Sequence, residues 1–280
     1  MAKILIGTSG YSYHEWVGTV YPEGTQAKDY LSCYAGFFPT VELNFSYYNM
    51  PKAQNLVKML ADGGPNLTFS IKAHKTLTHE INPAQWEEEA KIYLTAIEPL
   101  LEANRLEAIL FQFPYSFHYT PENRSYLDKL IKYFKGFPTA VEFRKSDWYS
   151  GKVIDAMKSR GVPLVSLDLP ELPKLPPTMD VVTAPLAYIR LHGRNKETWW
   201  GSDDHARYDY LYSDSEVEAW AARIERIAEQ AQRILVYFNN HSMGKAAKNA
   251  HTLEKLLINM GLITTGGKEV NNVGKDNMPS

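Results

Sequence analysis

Short β-branched and apolar runs alternate with segments of helical period along most of the chain. Eight runs read as strands, at residues 4–7, 40–44, 68–72, 108–112, 140–144, 163–168, 187–192 and 234–239. The spacing predicts helices over 84–103, 121–134, 150–160, 213–232 and 245–260, with shorter candidates at 25–34 and 53–60. Local signals agree: Thr120-Pro121-Glu122 supplies an N-cap, an N1 proline and an acidic first turn, and Gly161 and Gly261 follow the last turns of their helices. Only the sixth connection, 169–186, lacks a helical pattern, because Pro170, Pro173, Pro176 and Pro177 would break one. The pattern predicts an α/β protein, a single TIM-type (β/α)8 barrel over residues 1–262 with its sixth crossover helix short or missing. A doubly wound open sheet is the second choice. Residues 263–280, mixing Gly, Asn, Thr and Lys, read as a flexible tail.

The 280 residues suit such a barrel, a class that takes about 250. Thirty Lys plus Arg against 32 Asp plus Glu leave a formal charge of −2, so no global basic surplus points to nucleic acid. The one cysteine, Cys33, excludes an internal disulfide and a multi-cysteine zinc site. No basic-then-apolar leader precedes the first strand, and no apolar run reaches the about 18 residues of a membrane helix. A soluble cytoplasmic protein with no membrane partner is expected; no oligomeric state follows from the sequence.

In a barrel the chemistry sits at the C-terminal ends of the strands. There the runs end on polar residues spaced by two: Glu42 and Asn44, Ser70 and Lys72, Gln112, Glu142 and Arg144, Ser166 and Asp168, Arg190 and His192, Tyr237 and Asn239. Period-two spacing puts each pair on one face, and the intervening Leu43, Ile71, Phe143, Leu167, Leu191 and Phe238 suit the contact with outer helices. A polar ring is therefore expected inside the barrel mouth, where burying it is unfavourable unless its members are paired or used. Lys72, Arg144 and Arg190 balance Glu42, Glu142 and Asp168, which fits either a structural ion-pair network or a site for a small polar or singly phosphorylated metabolite. Expected catalytic residues are Glu42, Glu142, Lys72 and His192; expected ligand contacts are Asn44, Gln112, Arg144, Asp168, Arg190, Tyr237, Asn239 and Trp148.

Other motifs are weaker. Gly7-Thr8-Ser9-Gly10 could cradle an anion but lacks a GKS/T ending or a GxGxxG frame, so a tight turn is the plainer explanation. The aromatic stretch 11–16 is either ligand-facing or a packed cover. Eight histidines include no HExxH, and interleaved cations oppose a divalent ion among Glu42, Glu142, Asp168 and His192, so no metal or other cofactor is expected. Glu42 and Glu142 with nearby tryptophans admit glycoside hydrolysis, but neighbouring cations would depress the pKa that a general acid needs. No Gly-x-Ser-x-Gly elbow is present. The segment 193–212, with Arg194, Lys196, Trp199, Trp200 and Arg207, is long for a βα loop; its basic and aromatic mix suits a lid or a single-stranded nucleic acid.

The opening GTSGYSYHEW with Tyr21-Pro22, the run Phe38 to Asn44 with Tyr47-Tyr48 and Pro51, Lys72 with Thr78-His79, Gln112-Phe113-Pro114, Ala140 to Arg144 with Trp148, His192-Gly193-Arg194, and Tyr237 to Asn240 with Ala246 and Asn249-Ala250 together resemble the YecE-like family, domain of unknown function 72. The resemblance spans about residues 4–260 and implies a TIM-type barrel akin to sugar-isomerase and endonuclease-like barrels, without implying a reaction. The leading expectation is a metal-independent enzyme, a hydrolase or a lyase or isomerase, acting on a small polar or phosphorylated, sugar-like metabolite. The alternatives are nucleic-acid or nucleotide binding, not favoured, and a non-catalytic metabolite sensor.

Overall fold

The computed structural model describes residues 1–201 and 204–264. Eight parallel strands, β1 (Lys3–Ser9), β2 (Thr40–Leu43), β3 (Thr68–Lys72), β4 (Leu106–Phe113), β5 (Thr139–Phe143), β6 (Ser166–Asp168), β7 (Leu186–Leu191) and β8 (Arg233–Phe238), form one sheet in the order 5-4-3-2-1-8-7-6. The two ends of that order meet at a single bridge, Val141 to Leu164. It is made by Val141 N–H donating to Pro163 O and Val165 N–H donating to Val141 O, each at 2.9 Å. The result is the nearly closed α/β barrel that the alternation predicts. The first two residues of the expected tail are described; the remainder lies outside the described residues.

Around the strands run α1 (Tyr30–Phe37), α2 (Phe45–Tyr48), α3 (Ala53–Asp62), α4 (Trp86–Glu102), α5 (Pro121–Tyr133), α6 (Gly151–Arg160), α7 (Asp204–Arg207), α8 (Asp214–Ala228) and α9 (Lys245–Asn259). Thr120 Oγ1 accepts from Asn123 N–H at the start of α5, and Gly161 closes α6 at φ +62°. Ser213 and Glu216 form a capping box on α8. The first helix runs over 30–37 rather than 25–34, because a 3₁₀ turn at Ala27–Asp29 precedes it. The sixth connection carries no helix; it is pinned where Thr183 Oγ1 donates to Val162 O and accepts from Leu164 N–H.

Two apolar layers follow from strand alternation. Ile109, Phe111 and Phe113 of β4 pack outward into the layer shared with the helices, whereas Ala108 and Leu110 join Leu5, Ala140, Val165, Leu167, Leu235 and Tyr237 inside the barrel. On six of the seven strands whose ends were assigned a polar face, β2 to β5, β7 and β8, the expected faces are the observed ones. On β6 they are exchanged: Leu167 points in, so Ser166 and Asp168 point out. Val165, Leu167 and Leu169 form an apolar alternation of their own there, and the outer layer offers Asp168 partners that the strand's own sequence does not reveal.

Candidate active site

The floor of the mouth is an ion-pair fork. Arg190, at the end of β7, donates from Nη2 to Glu42 Oε1 at 2.6 Å and from Nη1 to Glu142 Oε2 at 2.7 Å, so one guanidinium joins β2 and β5. Ser9 and Tyr188 complete Glu42 at 2.7 and 2.6 Å. Arg144 donates to Glu142 Oε1 at 2.5 Å. Below them Tyr237 bonds Thr40 and Ser70 at 2.7 and 2.9 Å. Glu42, Glu142, Arg190 and Tyr237 are all buried, and these bonds satisfy groups that would otherwise be costly inside a barrel.

Above the fork opens a cavity of about 390 Å³. Lys72, Gln112 and Arg144 reach it from the strand ends, and Tyr47, Tyr115, Trp199 and Tyr208 are among its aromatic walls. Tyr48 and Trp200, 59% and 52% exposed, stand at its rim. Lys72 Nζ lies 4.1 Å from the Tyr47 ring centre and makes no ion pair with a carboxylate among the described residues. Its backbone is clamped, because Lys72 O accepts from Ser46 Oγ at 2.6 Å and from Tyr93 OH at 3.2 Å. Among the described residues, cavities also lie between α5 and α6 and at the N-terminal ends of the strands. Strand-end chemistry singles out the mouth.

His192 is buried beside the fork. Asn239 Nδ2 lies 3.0 Å from His192 Nδ1, and His192 Nε2 lies 3.5 Å from Glu142 Oε1 without a closer partner. An amide donating to Nδ1 leaves the imidazole proton on Nε2, facing Glu142. Burial, with Arg144 and Arg190 nearby, pushes His192 well below the usual histidine range, so the ring is neutral at pH 7. Burial alone would raise the Glu142 pKa, but Arg190 and Arg144 more than offset it and hold the carboxyl well below its usual range. For Lys72, burial and then the charges of Arg190 and Arg144 push the ammonium down to about 7.

Of the residues singled out in the sequence, Glu42, Glu142, Lys72, Gln112, Arg144, Arg190, His192 and Asn239 gather at the mouth. Four others sit elsewhere. Asp168 takes both forks of Arg194 at 2.7 Å and accepts from Trp220 of α8, so it faces the outer helices. Tyr237 belongs to the polar layer under Glu42. Trp148 donates to Phe117 O at 2.7 Å and stacks on Phe143 with ring centres 4.2 Å apart, a packing role on the outer side. Asn44 stands at the turn into α2, half-buried, and is not part of the cavity lining. With Asp168 removed, the ring is two carboxylates against three cations when Lys72 is protonated, so the balance expected from sequence becomes a cationic surplus.

The Gly7-to-Gly10 stretch holds no anion cradle: Thr8 N–H donates to Tyr34 OH and Gly10 N–H to Glu42 O. The aromatic stretch after it is a packed cover, with Trp16 donating to His241 O and Tyr13 stacked on His241. Tyr115, Leu175 and Tyr208 line the cavity without having stood out in the sequence, since each comes from a loop with no periodic signal. Among the described residues, no group of three or more His, Cys, Asp or Glu side chains is placed to hold a metal ion, and no helix is long and apolar enough to cross a membrane.

Comparison with known proteins agrees with this architecture. The family model for "Protein of unknown function DUF72" matches residues 5–268. The UPF0759 protein YunF of Bacillus subtilis (strain 168) is 30% identical over 269 residues, covering 91% of this chain and 94% of its own. The crystal structure of a DUF72 family protein from Thermotoga maritima MSB8 superposes with a TM-score of 0.84 at 35% identity, over 91% of this chain and 99% of that one. One from Enterococcus faecalis V583 gives 0.81 at 30%, over 91% and 95%. The barrel, the strand-end motifs and the match over nearly the whole chain together establish that this protein belongs to the DUF72 family.

Proposed function

We propose that the protein is an enzyme acting on a small, phosphorylated polar metabolite of sugar-like size, bound in the mouth cavity. The observation that carries this reading is the cationic surplus: Lys72 and Arg144 face a cavity walled by Tyr47, Tyr115, Trp199 and Tyr208. Aromatic faces pack against the carbon skeleton of such a ligand, while the Arg144 guanidinium, charged at every working pH, meets its anionic group. Glu42 and Glu142 hold Arg190 and Arg144 in place. A carboxylate kept well below its usual range is a weak base, so Glu142 is a fixed counter-charge rather than the proton acceptor. Lys72, poised at about 7, is the better base near neutral pH.

Calorimetric titration with sugar phosphates and their unphosphorylated counterparts tests the reading. The phosphorylated member of a pair is expected to bind more tightly, and Arg144→Ala to remove most of that difference. Equal affinities within every pair would overturn it. A second reading, single-stranded nucleic acid, draws on the exposed Tyr48 and Trp200 at the rim, which offer stacking faces beside the cations. It requires oligonucleotide affinity that falls steeply with added salt.

A further inference from the structure

We infer that Lys72 is a carbonyl-trapping amine: its Nζ forms an imine with the aldehyde or keto carbon of a phosphorylated substrate held in the mouth cavity. This rests on the proposed function for the phosphate, and adds to it the class of substrate and the bond that forms.

The placement of Lys72 differs from that of the other site cations. Arg190 and Arg144 are each engaged with a carboxylate, whereas Lys72 has an aromatic face and no ion pair among the described residues. One short element sets this up. From α2, Ser46 fixes the Lys72 backbone through its carbonyl, and the adjacent Tyr47 puts its ring 4.1 Å from Nζ. A lysine tied to a carboxylate is held as ammonium, with its lone pair occupied by a proton. For Lys72, burial and the guanidinium groups of Arg190 and Arg144 outweigh the opposing pull of the Glu142 and Glu42 carboxylates and of the Tyr47 ring, so the ammonium is pushed down to about 7 and gives up its proton readily. The nucleophile also stands in the same cavity as Arg144, which leaves that guanidinium to receive the phosphate.

The chemistry balances without a further reagent. The Nζ lone pair attacks the carbonyl carbon, and the π pair of the C=O bond passes to oxygen. That oxygen takes the proton given up by the nitrogen, forming a carbinolamine. With a second proton, drawn from solvent, the oxygen leaves as water and the nitrogen lone pair closes the C=N bond, giving a protonated imine. Its positive charge acts as an electron sink for removal of a proton, or cleavage of a bond, at the neighbouring carbon.

Borohydride trapping reads this out. The full chain is incubated with glyceraldehyde 3-phosphate near neutral pH, reduced, digested and mapped by mass spectrometry. Lys72 is expected to acquire the reduced adduct up to about a thousandfold faster than exposed lysines near pH 7, because about half of it, against roughly 0.0004 of an ordinary lysine, is unprotonated. Its labelling rate should rise with pH through about 7 and level off above. Lys72→Arg, which keeps a cation, is expected to lose this adduct and retain only slow surface labelling. Mapping the unaltered chain requires no variant to fold. Labelling spread evenly over surface lysines, or an unmodified Lys72, would overturn the inference.

Two controls separate this from the reading beneath it. Glycerol 3-phosphate, which has no carbonyl, tests the anion site alone. If it binds and Lys72 stays unmodified, the imine fails and the phosphate reading stands. If Lys72 is labelled equally fast by unphosphorylated glyceraldehyde and glycerol 3-phosphate does not bind, the trapping amine stands on its own. The phosphate part of the proposal is then overturned.

Discussion

The Arg190 guanidinium donates to Glu142 at 2.7 Å with both side chains shut off from water, so the fate of one fixes the environment of the other. Arg190→Met should therefore leave Glu42 and Glu142 as buried charges with too few partners, at a cost of about 3–5 kcal/mol. Urea denaturation is the measurement. A midpoint unchanged from wild type would mean that the fork contributes nothing to stability.

The Asp168 cluster predicts a loss of stability with no change in binding. Trp220→Phe keeps the packing of the ring on α8 but removes its N–H, leaving Asp168 with Arg194 alone. The expected loss is about 1–3 kcal/mol of stability. Binding of a phosphorylated ligand, measured on folded protein, should be unchanged. A weakened ligand would place Asp168 in the site after all.

The two groups of tryptophans are expected to separate in the same manner. Trp148 is 1% exposed and stacked on Phe143, so Trp148→Ala should cost about 3–5 kcal/mol and leave affinity alone. Trp200 is half exposed at the rim, so Trp200→Ala should change stability by no more than about 0.5 kcal/mol. It should weaken ligand binding by up to about tenfold, the scale of one lost aromatic contact. Thermal unfolding beside calorimetry distinguishes the pair.

His192 gives a pH dependence. Its folded pKa lies well below the ordinary value near 6.5, so between the two the unfolded chain holds a proton that the folded chain does not. Stability must then rise with pH across that window and be lost as pH falls below about 6.5, with a slope of at most about 1.4 kcal/mol per pH unit for this group. His192→Gln, which cannot charge, should flatten the slope between about pH 6.5 and 5 relative to wild type. Equal slopes in denaturation curves would show that His192 does not titrate on unfolding.

Most of the strand-end side-chain directions were legible because alternation is a strict rule. Once Leu43, Phe143 and Leu191 are read as facing helices, Glu42, Glu142 and Arg190 must face inward. The same rule failed at Asp168 for a nonlocal reason. Leu167 is as apolar as Leu43, but the outer layer over β6 contains the Trp220 N–H and Arg194, which arrive from 52 and 26 residues away. Without those partners in view, the polar face of a short strand has no assignable side. Trp148 was expected to touch the ligand, but an aromatic just past a strand end serves a wall or a core equally well, and only the Phe117 and Phe143 rings place it in the core. Tyr115, Leu175 and Tyr208 carried no signal, as irregular loops bring them to the cavity.

The β5 to β6 junction has a consequence for the site as a whole. Main-chain bonding there amounts to one bridge at Val141, and β6 is only three residues long. Arg190 on β7 reaches over β6 to Glu142 on β5, the residue next to Val141. That side-chain bond is a buckle across the thinnest part of the wall, doing with charge what a longer ladder would do with amides. A substitution at Arg190 or Glu142 therefore loosens the staves as well as the floor of the mouth.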